Sequence, residues 1–492
     1  MVSYIIIGVY LFCLSFVLLY SFAELNLTYL YLKSKKTAKN QKLLAPENWP
    51  LVCIQLPIYN EKFVVERLLG AIANLDYDKS KMQIQVLDDS NDETLAIVRE
   101  KINGLKMQGF EIEHILRNDR KDFKAGALQY GLNITKADFI AIFDADFVPN
   151  PNFLKEVIPH FNQPNIGMVQ SRWGHLNDKF SILTRLQSYV LNAHFTIDQA
   201  GRNFGEHFIN FNGTAGVWRR ETIINSGGWQ GDTLTEDLDL SYRAQLKGWQ
   251  FVYLENLVSP AELPAEMNAL RSQQFRWAKG AAECARKNLS NVLREPKIKL
   301  STKYNAVFHL LNSFNWICLM VSSFLLLPFT QIVDQNQNLS SLLGFMSIYH
   351  ISFIALFFYY FVANKSIALK SKNDVLEFIL SYPVFISLMM GLSIYNAIGV
   401  AQGYFGKKTS FVRTPKFNFS NHKKSFKGFS YVSYKFTFVG FIELLSIIYF
   451  LATTYFLFVQ KNYVGLSFSI FMTAGLIAVF ALSIKHSITS RT

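Results

Sequence analysis

The chain has 492 residues, half of them apolar, with 44 phenylalanines and 23 tyrosines, a load that a single soluble domain does not need. Its net charge of +13 comes without a nucleic-acid-binding motif, and much of the excess lies in short segments beside apolar runs. The charge therefore argues for membrane topology and anionic lipid, and against a nucleic-acid partner. Cys13, Cys53, Cys284 and Cys318 have neither metal-ligand spacing nor a disulfide framework, which leaves them as reduced packing residues.

In chain order, the first apolar run, from Val2 to Ala23, is uncharged, has no basic segment before it and no small-residue cleavage site; Lys33, Lys35, Lys36, Lys39 and Lys42 follow it. This predicts a retained membrane anchor over residues 1–24 with its C-terminal end in the cytoplasm. Residues 45–262 alternate short apolar strands with helical stretches, the pattern of an α/β domain with a mixed, largely parallel sheet. Strands are expected at Leu51 to Leu56, Gln83 to Leu87, Glu111 to Leu116 and Phe139 to Phe143, and helices at Lys62 to Asn74 and Lys124 to Asn133. Ligands of such sheets sit beyond the carboxyl ends of the strands, so polar residues there are the candidates.

The first strand ends in QLPIYNE, which brings Pro57, Tyr59 and Glu61 to that edge, with Asn60 and Glu61 expected to open a helix. The second ends in VLDDS, where Asp88 and Asp89 can accept the ring N–H of uracil or guanine, or else cap the next helix. Lys124, in KAGAL, can meet phosphate at a helix start or be a solvated surface lysine. In FDADF, Asp144 and Asp146 follow a strand with one residue between them. Strand geometry would point both carboxylates one way, toward a divalent cation completed by diphosphate oxygens; acidic pairs also occur in ordinary turns.

TEDLDL supplies Glu236, Asp237 and Asp239. A carboxylate here can be the general base for an acceptor hydroxyl, or favour a helix N-terminus, the preferred reading for Asp239. QQFRW places Gln273, Arg276 and Trp277 on one face of a helical stretch over residues 266–288, offering an amide, a guanidinium and a large ring to one site, or a membrane-surface anchor. Residues 263–303 are expected to be amphipathic interfacial helices.

Residues 304–492 form the expected transmembrane bundle, with apolar runs at Phe308 to Val333, Leu342 to Ala363, Leu376 to Val400, Thr437 to Val459 and Val464 to Ile484. Five crossings would put the basic loop from Lys407 to Lys435 outside, against the positive-inside bias. The third run, interrupted by Pro383, Gly391, Asn396, Gly399 and Gln402, is accordingly expected to be re-entrant or interfacial over 376–402.

Taken in order, PIYNE, DDS, KAG, DAD, TED and QQFRW resemble the membrane synthases of glycosyltransferase family 2, which include cellulose, hyaluronan and chitin synthases; the resemblance runs to about residue 485. VQSRWGHLN at 169–177 and QQFRWAKG at 273–280 look most like the cellulose-synthase-like group with plant glucomannan synthases and their bacterial relatives. The resemblance implies a GT-A catalytic domain inserted between an N-terminal transmembrane helix and a C-terminal α-helical bundle. It implies Mg²⁺ or Mn²⁺ at Asp144 and Asp146, and a donor such as UDP-glucose or GDP-mannose contacted by Pro57, Tyr59, Glu61, Asp88, Asp89, Lys124 and Asp144. Asp237 would be the base, Gly213 and Thr214 of FNGTAG would lie beside the acceptor with Glu236, and Gln273, Arg276 and Trp277 would cap the donor site. FVRTPK, with Phe411, Arg413 and Lys416, falls where these synthases carry a gating loop, here 407–420.

The implied protein is a multi-pass enzyme of the cell (inner or plasma) membrane with a cytoplasmic catalytic domain. Its partners would be the lipid bilayer, a nucleotide sugar and a glycan or glycolipid acceptor, with no nucleic acid. It would elongate a β-linked glycan such as a glucan or glucomannan with inversion and translocate it. The alternative is transfer of one sugar to a lipid, as ceramide glucosyltransferases do.

Overall fold

Seven runs rich in β-branched and aromatic residues pair into one sheet in the computed structural model, which describes residues 1–37, 43–409, 412–419 and 438–489. The strands are β1 (Val52–Ile58), β2 (Met82–Asp88), β3 (Glu111–Leu116), β4 (Phe139–Ile142), β5 (Ile166–His175), β6 (Gly216–Arg219) and β7 (Gln250–Ala261), in the order β3-β2-β1-β4-β6-β5-β7. The first four are mutually parallel; β6 runs antiparallel to both β4 and β5, and β5 is parallel to β7. Helices cover both faces, so β4 is buried at every residue, which is why its sequence reads as a continuous apolar run.

The first four strands lie where the sequence places them. The other three lacked an apolar alternation because their inward polar groups are buried and paired. Gln170 Nε2 donates to the Thr214 carbonyl at 3.1 Å, and the Ser171 and Ser259 hydroxyls meet at 3.1 Å. β6 has only four residues, too few to show a period.

Register levels the strand ends: Ile58 of β1 lies opposite Asp88 of β2, which lies opposite Leu116 of β3. Antiparallel β6 begins where β4 ends, so the segment just before it, FNGTAG, arrives at that same edge. The Ala215 N–H donates to the Ile142 carbonyl at 2.8 Å and the Asp144 N–H to Thr214 Oγ1 at 2.8 Å.

The first helix, Val2–Thr37, runs well past the anchor expected at residues 1–24. Its 36 residues span about 54 Å, against about 30 Å of bilayer hydrocarbon. The excess docks on the α/β domain, where Tyr31 Oη donates to Glu255 at 2.9 Å and Lys35 pairs with the same carboxylate at 2.8 Å. Among the described residues, six helices are long and apolar enough to cross a membrane: Val2–Thr37, Phe314–Asp334, Asn338–Ile367, Lys372–Gly391, Val439–Val459 and Tyr463–His486. All four cysteines are buried and free.

The run expected to be re-entrant is two helices, Lys372–Gly391 and Ser393–Tyr404, meeting at Leu392; Pro383 sits inside the first without ending it. The first helix is counted among the six by length and composition. Near its start Glu377 pairs with Arg185 and Ser381 bonds Tyr189 at 3.1 Å, while just past the end of the second helix the Lys407 carbonyl accepts from Lys279. Both ends of the segment thus touch helices packed against the α/β domain. Helix Met267–Arg294, which carries QQFRW, is tied into the bundle by a buried ion pair between Arg271 and Glu443, supported by Ser483 at 3.0 Å from Arg271 Nη1.

Candidate active site

The levelled strand ends open into a cavity of about 460 Å³. On one side β1 delivers Pro57, Tyr59 and Glu61. Asn60 takes a left-handed backbone with φ of 55°, and the helix begins only at Val65, so the expectation that Asn60 and Glu61 open a helix is not met. What Glu61 offers the site is its side chain. The Tyr59 ring is covered by the Arg120 guanidinium, 3.3 Å from its centroid.

Behind this wall Asp88 is only 2% exposed; it accepts from His114 Nε2 at 2.9 Å and from the Ser90 N–H at 2.9 Å. Asp89 lines the cavity and is held by both arms of Arg117. Neither aspartate caps the next helix, which starts at Thr94 after Glu93.

Lys124, in the first turn of helix Phe123–Ile134, reaches across to Asp144 at 2.5 Å and to the Gly213 carbonyl at 2.9 Å. Desolvation works against its charge, but Asp144, Glu236 and Asp237 outweigh it and hold the ammonium above its ordinary pKa. β4 ends at Ile142, so Asp144 and Asp146 leave it in a turn, and the strand argument for their parallel side chains does not hold. Asp144 faces Lys124, while Asp146 accepts from Lys416 at 2.7 Å and from the Glu262 N–H at 3.1 Å. Both still line the same cavity.

Helix Glu236–Leu246 starts at the opposite wall with no side-chain cap from Thr235, which leaves its N-terminal amides and its acidic first turn facing inward. Asp239 turns away, fully buried against Arg243 at 2.8 Å and Lys287 at 3.0 Å; its role is structural, but through buried ion pairs and not through the helix N-terminus expected for it. Glu236 and Asp237 line the cavity and form no ion pair among the described residues. Desolvation, joined by the Glu236 charge, pushes Asp237 up to about 7 against the pull of Lys124. Gly213, with φ of +80°, passes so close that a Cβ there would stand 3.0 Å from Asp237 Oδ2 and 3.4 Å from Lys124 Nζ. Thr214 is fully buried and serves the site through the Asp144 amide.

Gln273, Arg276 and Trp277 reach the cavity together, as their spacing predicts. Burial lowers the Arg276 pKa to about 10, with Glu236 and Asp144 opposing, so the guanidinium keeps its charge at neutral pH. Segment 412–419 closes the remaining side. Arg413 forms a two-armed pair with Glu61 at 2.9 and 2.8 Å, Thr414 accepts from Arg276 at 2.9 Å, and Lys416 holds Asp146. The Phe417 N–H donates to buried Glu262 at 2.9 Å, and Phe417 and Phe419 pack on Ala265 and Phe180. Phe411 lies outside the described residues. Burial drives Glu61 up to about 7 despite Arg413.

Groups of three or more potential metal-ligating side chains are absent among the described residues. Two carboxylates on one turn nevertheless fit a hard divalent cation, which commonly takes one or two protein carboxylates and completes its shell from substrate phosphates and water. Lys124 and Lys416 on those carboxylates show that the pocket balances its negative charge with cations. Reading the sequence missed Arg117, Arg120, His114 and Glu262. The first two had a signal, since the basic run LRNDRKD directly follows β3, whose end borders that of β2.

A parallel block extended by an antiparallel strand, with a carboxylate-rich cavity at the strand ends, defines a GT-A-like glycosyltransferase domain. A family profile described as "Glycosyltransferase like family 2" matches residues 50–280, the span of this α/β domain and the QQFRW segment. The chain is 42% identical over 271 residues to the probable glucomannan 4-beta-mannosyltransferase 7 of Oryza sativa subsp. japonica, covering 54% of this chain and 46% of that one. It is 39% identical over 270 residues to glucomannan 4-beta-mannosyltransferase 2 of Arabidopsis thaliana, covering 54% and 51%. The chain thus spans about half the length of these curated relatives, and the cellulose-synthase-like resemblance is borne out. In fold it is similar to the mannosyltransferase PcManGT of Pyrobaculum calidifontis, solved with GDP-Man and Mn²⁺, at a TM-score of 0.50 and 18% identity over 74% of this chain and 100% of that one.

Proposed function

We propose that the chain is an inverting, membrane-embedded β-hexosyltransferase that elongates a glycan from a UDP- or GDP-hexose, mannose or glucose, on the cytoplasmic face of the cell membrane. The observation that carries this reading is Asp237, an inward carboxylate without an ion-pair partner among the described residues, pushed up to about 7 in a cavity whose other acidic groups are largely matched by cations. Such a group suits removal of the proton from an acceptor hydroxyl as that oxygen attacks the anomeric carbon. One displacement on the face opposite the nucleotide inverts the centre. Similarity to glucomannan mannosyltransferases supports a hexose and a β-linked polymer.

In this reading Asp144 and Asp146 hold Mg²⁺ or Mn²⁺, which would neutralise charge on the departing nucleoside diphosphate. Lys124 and Arg276 add positive charge beside the same phosphates, and the Tyr59, Asp89 and Arg117 wall takes the nucleobase, with Asp88 bracing it from behind. Gly213 leaves space for the acceptor at Asp237, and Gln273 and Trp277 cap the sugar. Arg413 and Lys416 exchange their carboxylate partners for the donor diphosphate when the donor binds.

Purified protein given a labelled donor is expected to yield a ladder of glycosidase-sensitive glycans. A single glycolipid would replace this reading with lipid glycosylation. For topology, both ends of segment 372–404 rest against the catalytic side, which supports its withdrawal from the crossings. A cysteine introduced near Gly406 is expected to resist a membrane-impermeant thiol reagent added outside intact cells. Labelling there would place the loop outside and reject the arrangement.

A further inference from the structure

Away from the cavity, a second groove of about 400 Å³ runs between helix Met267–Arg294 and the side chains of Leu311 and Tyr404. Leu289 and Leu293 make its apolar part. Arg286, Ser290 and Arg294 recur at four-residue spacing, so they share one face of the helix and two guanidiniums flank a hydroxyl. The guanidiniums start about 12 Å apart along the helix and are long enough to converge on one small anion from either side. The Arg286 guanidinium lies against the Gly406 backbone and donates to the Tyr404 carbonyl at 3.4 Å, and neither arginine pairs with a carboxylate among the described residues. Tyr404 contributes its ring to the same wall, with its hydroxyl buried away from solvent.

The groove adjoins one of the helices that are apolar enough to cross a membrane. Leu311 comes just before helix Phe314–Asp334, one of the six apolar enough to cross. Nearby, Leu300 and Phe405 are 83% and 88% exposed, and Lys297, Lys299 and Lys303 follow Arg294. Large apolar side chains displayed among lysines and arginines belong at the headgroup boundary, with the rings and leucines in the acyl region and the charges at the phosphates.

We propose that this groove binds the headgroup of an anionic phospholipid: the phosphate between Arg286 and Arg294, a headgroup oxygen on Ser290, and the start of an acyl chain over Leu289, Leu293 and Leu311. A zwitterionic lipid would bring an ammonium toward the two guanidiniums and is disfavoured. The site also reaches the loop over the active site. Tyr404 ends its helix, and the chain goes directly on to Lys407 and Thr409, both bonded by Lys279, and then to Arg413. A headgroup here fixes the root of that loop.

The test is native mass spectrometry of the full chain released from mixed nanodiscs of phosphatidylcholine and phosphatidylglycerol, reading retained lipid rather than transfer, so that the outcome does not depend on the proposed activity. Wild type is expected to retain phosphatidylglycerol in preference to phosphatidylcholine. The double variant Arg286→Gln, Arg294→Gln is expected to lose that preference by about tenfold, and Arg286→Lys, Arg294→Lys to keep most of it. An unchanged melting temperature and unchanged nucleotide binding identify the double variant as folded. Equal retention of the two lipids by wild type, or full retention of phosphatidylglycerol by the folded glutamine variant, would overturn the site. Displacement of the lipid by inorganic phosphate at equal concentration would reassign it to a free anion.

Discussion

Replacing Asp237 by asparagine is expected to lower transfer by about 10³-fold while affinity for the nucleoside diphosphate stays within a few-fold, because a positioned general base contributes about 10²–10⁴ to rate and little to ground-state binding. Asparagine keeps the shape and the hydrogen bond from the Leu238 N–H, 2.8 Å from Asp237 Oδ1, so the helix start should survive the change. The same residue sets the pH dependence. A base acts when ionised, and Asp237 is pushed up to about 7 by desolvation and by Glu236. Wild-type kcat/KM should therefore fall about tenfold per unit as pH drops below that value and level off above it. The asparagine variant has no such proton to lose, so its residual activity should lack this limb. Glu236→Gln removes a charge that raises the Asp237 pKa, and should move the limb to lower pH. Steady-state rates across pH with a direct nucleotide-binding assay separate these outcomes. Unchanged turnover in the asparagine variant would end the role of Asp237.

How much of this was legible beforehand follows from which interactions are local. β1, β2 and β4 were readable because both their faces are buried, β3 because exposed and buried residues alternate along it, and QQFRW because helical spacing alone puts its three side chains on one face. Asp239 was correctly separated from Asp237, since an aspartate two residues further into a helix turns away from what its first turn faces. The turn carrying Asp144 and Asp146 was found for its composition but misjudged in geometry: β4 stops at Ile142, and the two carboxylates are aimed by partners far away in sequence, Lys124 and Lys416. Glu262 was invisible for the same reason. It follows β7, a strand whose buried polar residues hide its period, and matters only because Phe417 and Lys416 come back to it from the loop. The antiparallel β6, four residues long, carries FNGTAG to the strand ends, and no local pattern announces a strand that short.

Chelation of divalent cations is expected to stop transfer, and Asp146→Asn to lower it by about 10²–10³-fold even when metal is restored, as suits the several kcal/mol a cation contributes against charge on a leaving phosphate. With two protein carboxylates available, most of the coordination shell has to come from the diphosphate and water. Cation affinity should therefore be weak for the protein alone and rise sharply with the nucleoside diphosphate, which calorimetric titration of Mn²⁺ with and without nucleotide can measure. Lys416 is central to this balance because its ammonium, 2.7 Å from Asp146 Oδ2, occupies the carboxylate that a cation there would need. Lys416→Met removes that competitor, so Mn²⁺ binding to the nucleotide-free protein should tighten, whereas transfer should fall because the closing segment loses a charge meant for the diphosphate. Opposite movements of cation affinity and rate in one variant are hard to obtain from general damage to the fold. Transfer that persists in chelator would discredit the metal role of Asp144 and Asp146, while weaker Mn²⁺ binding in the methionine variant would show that Lys416 supports the cation instead of competing with it.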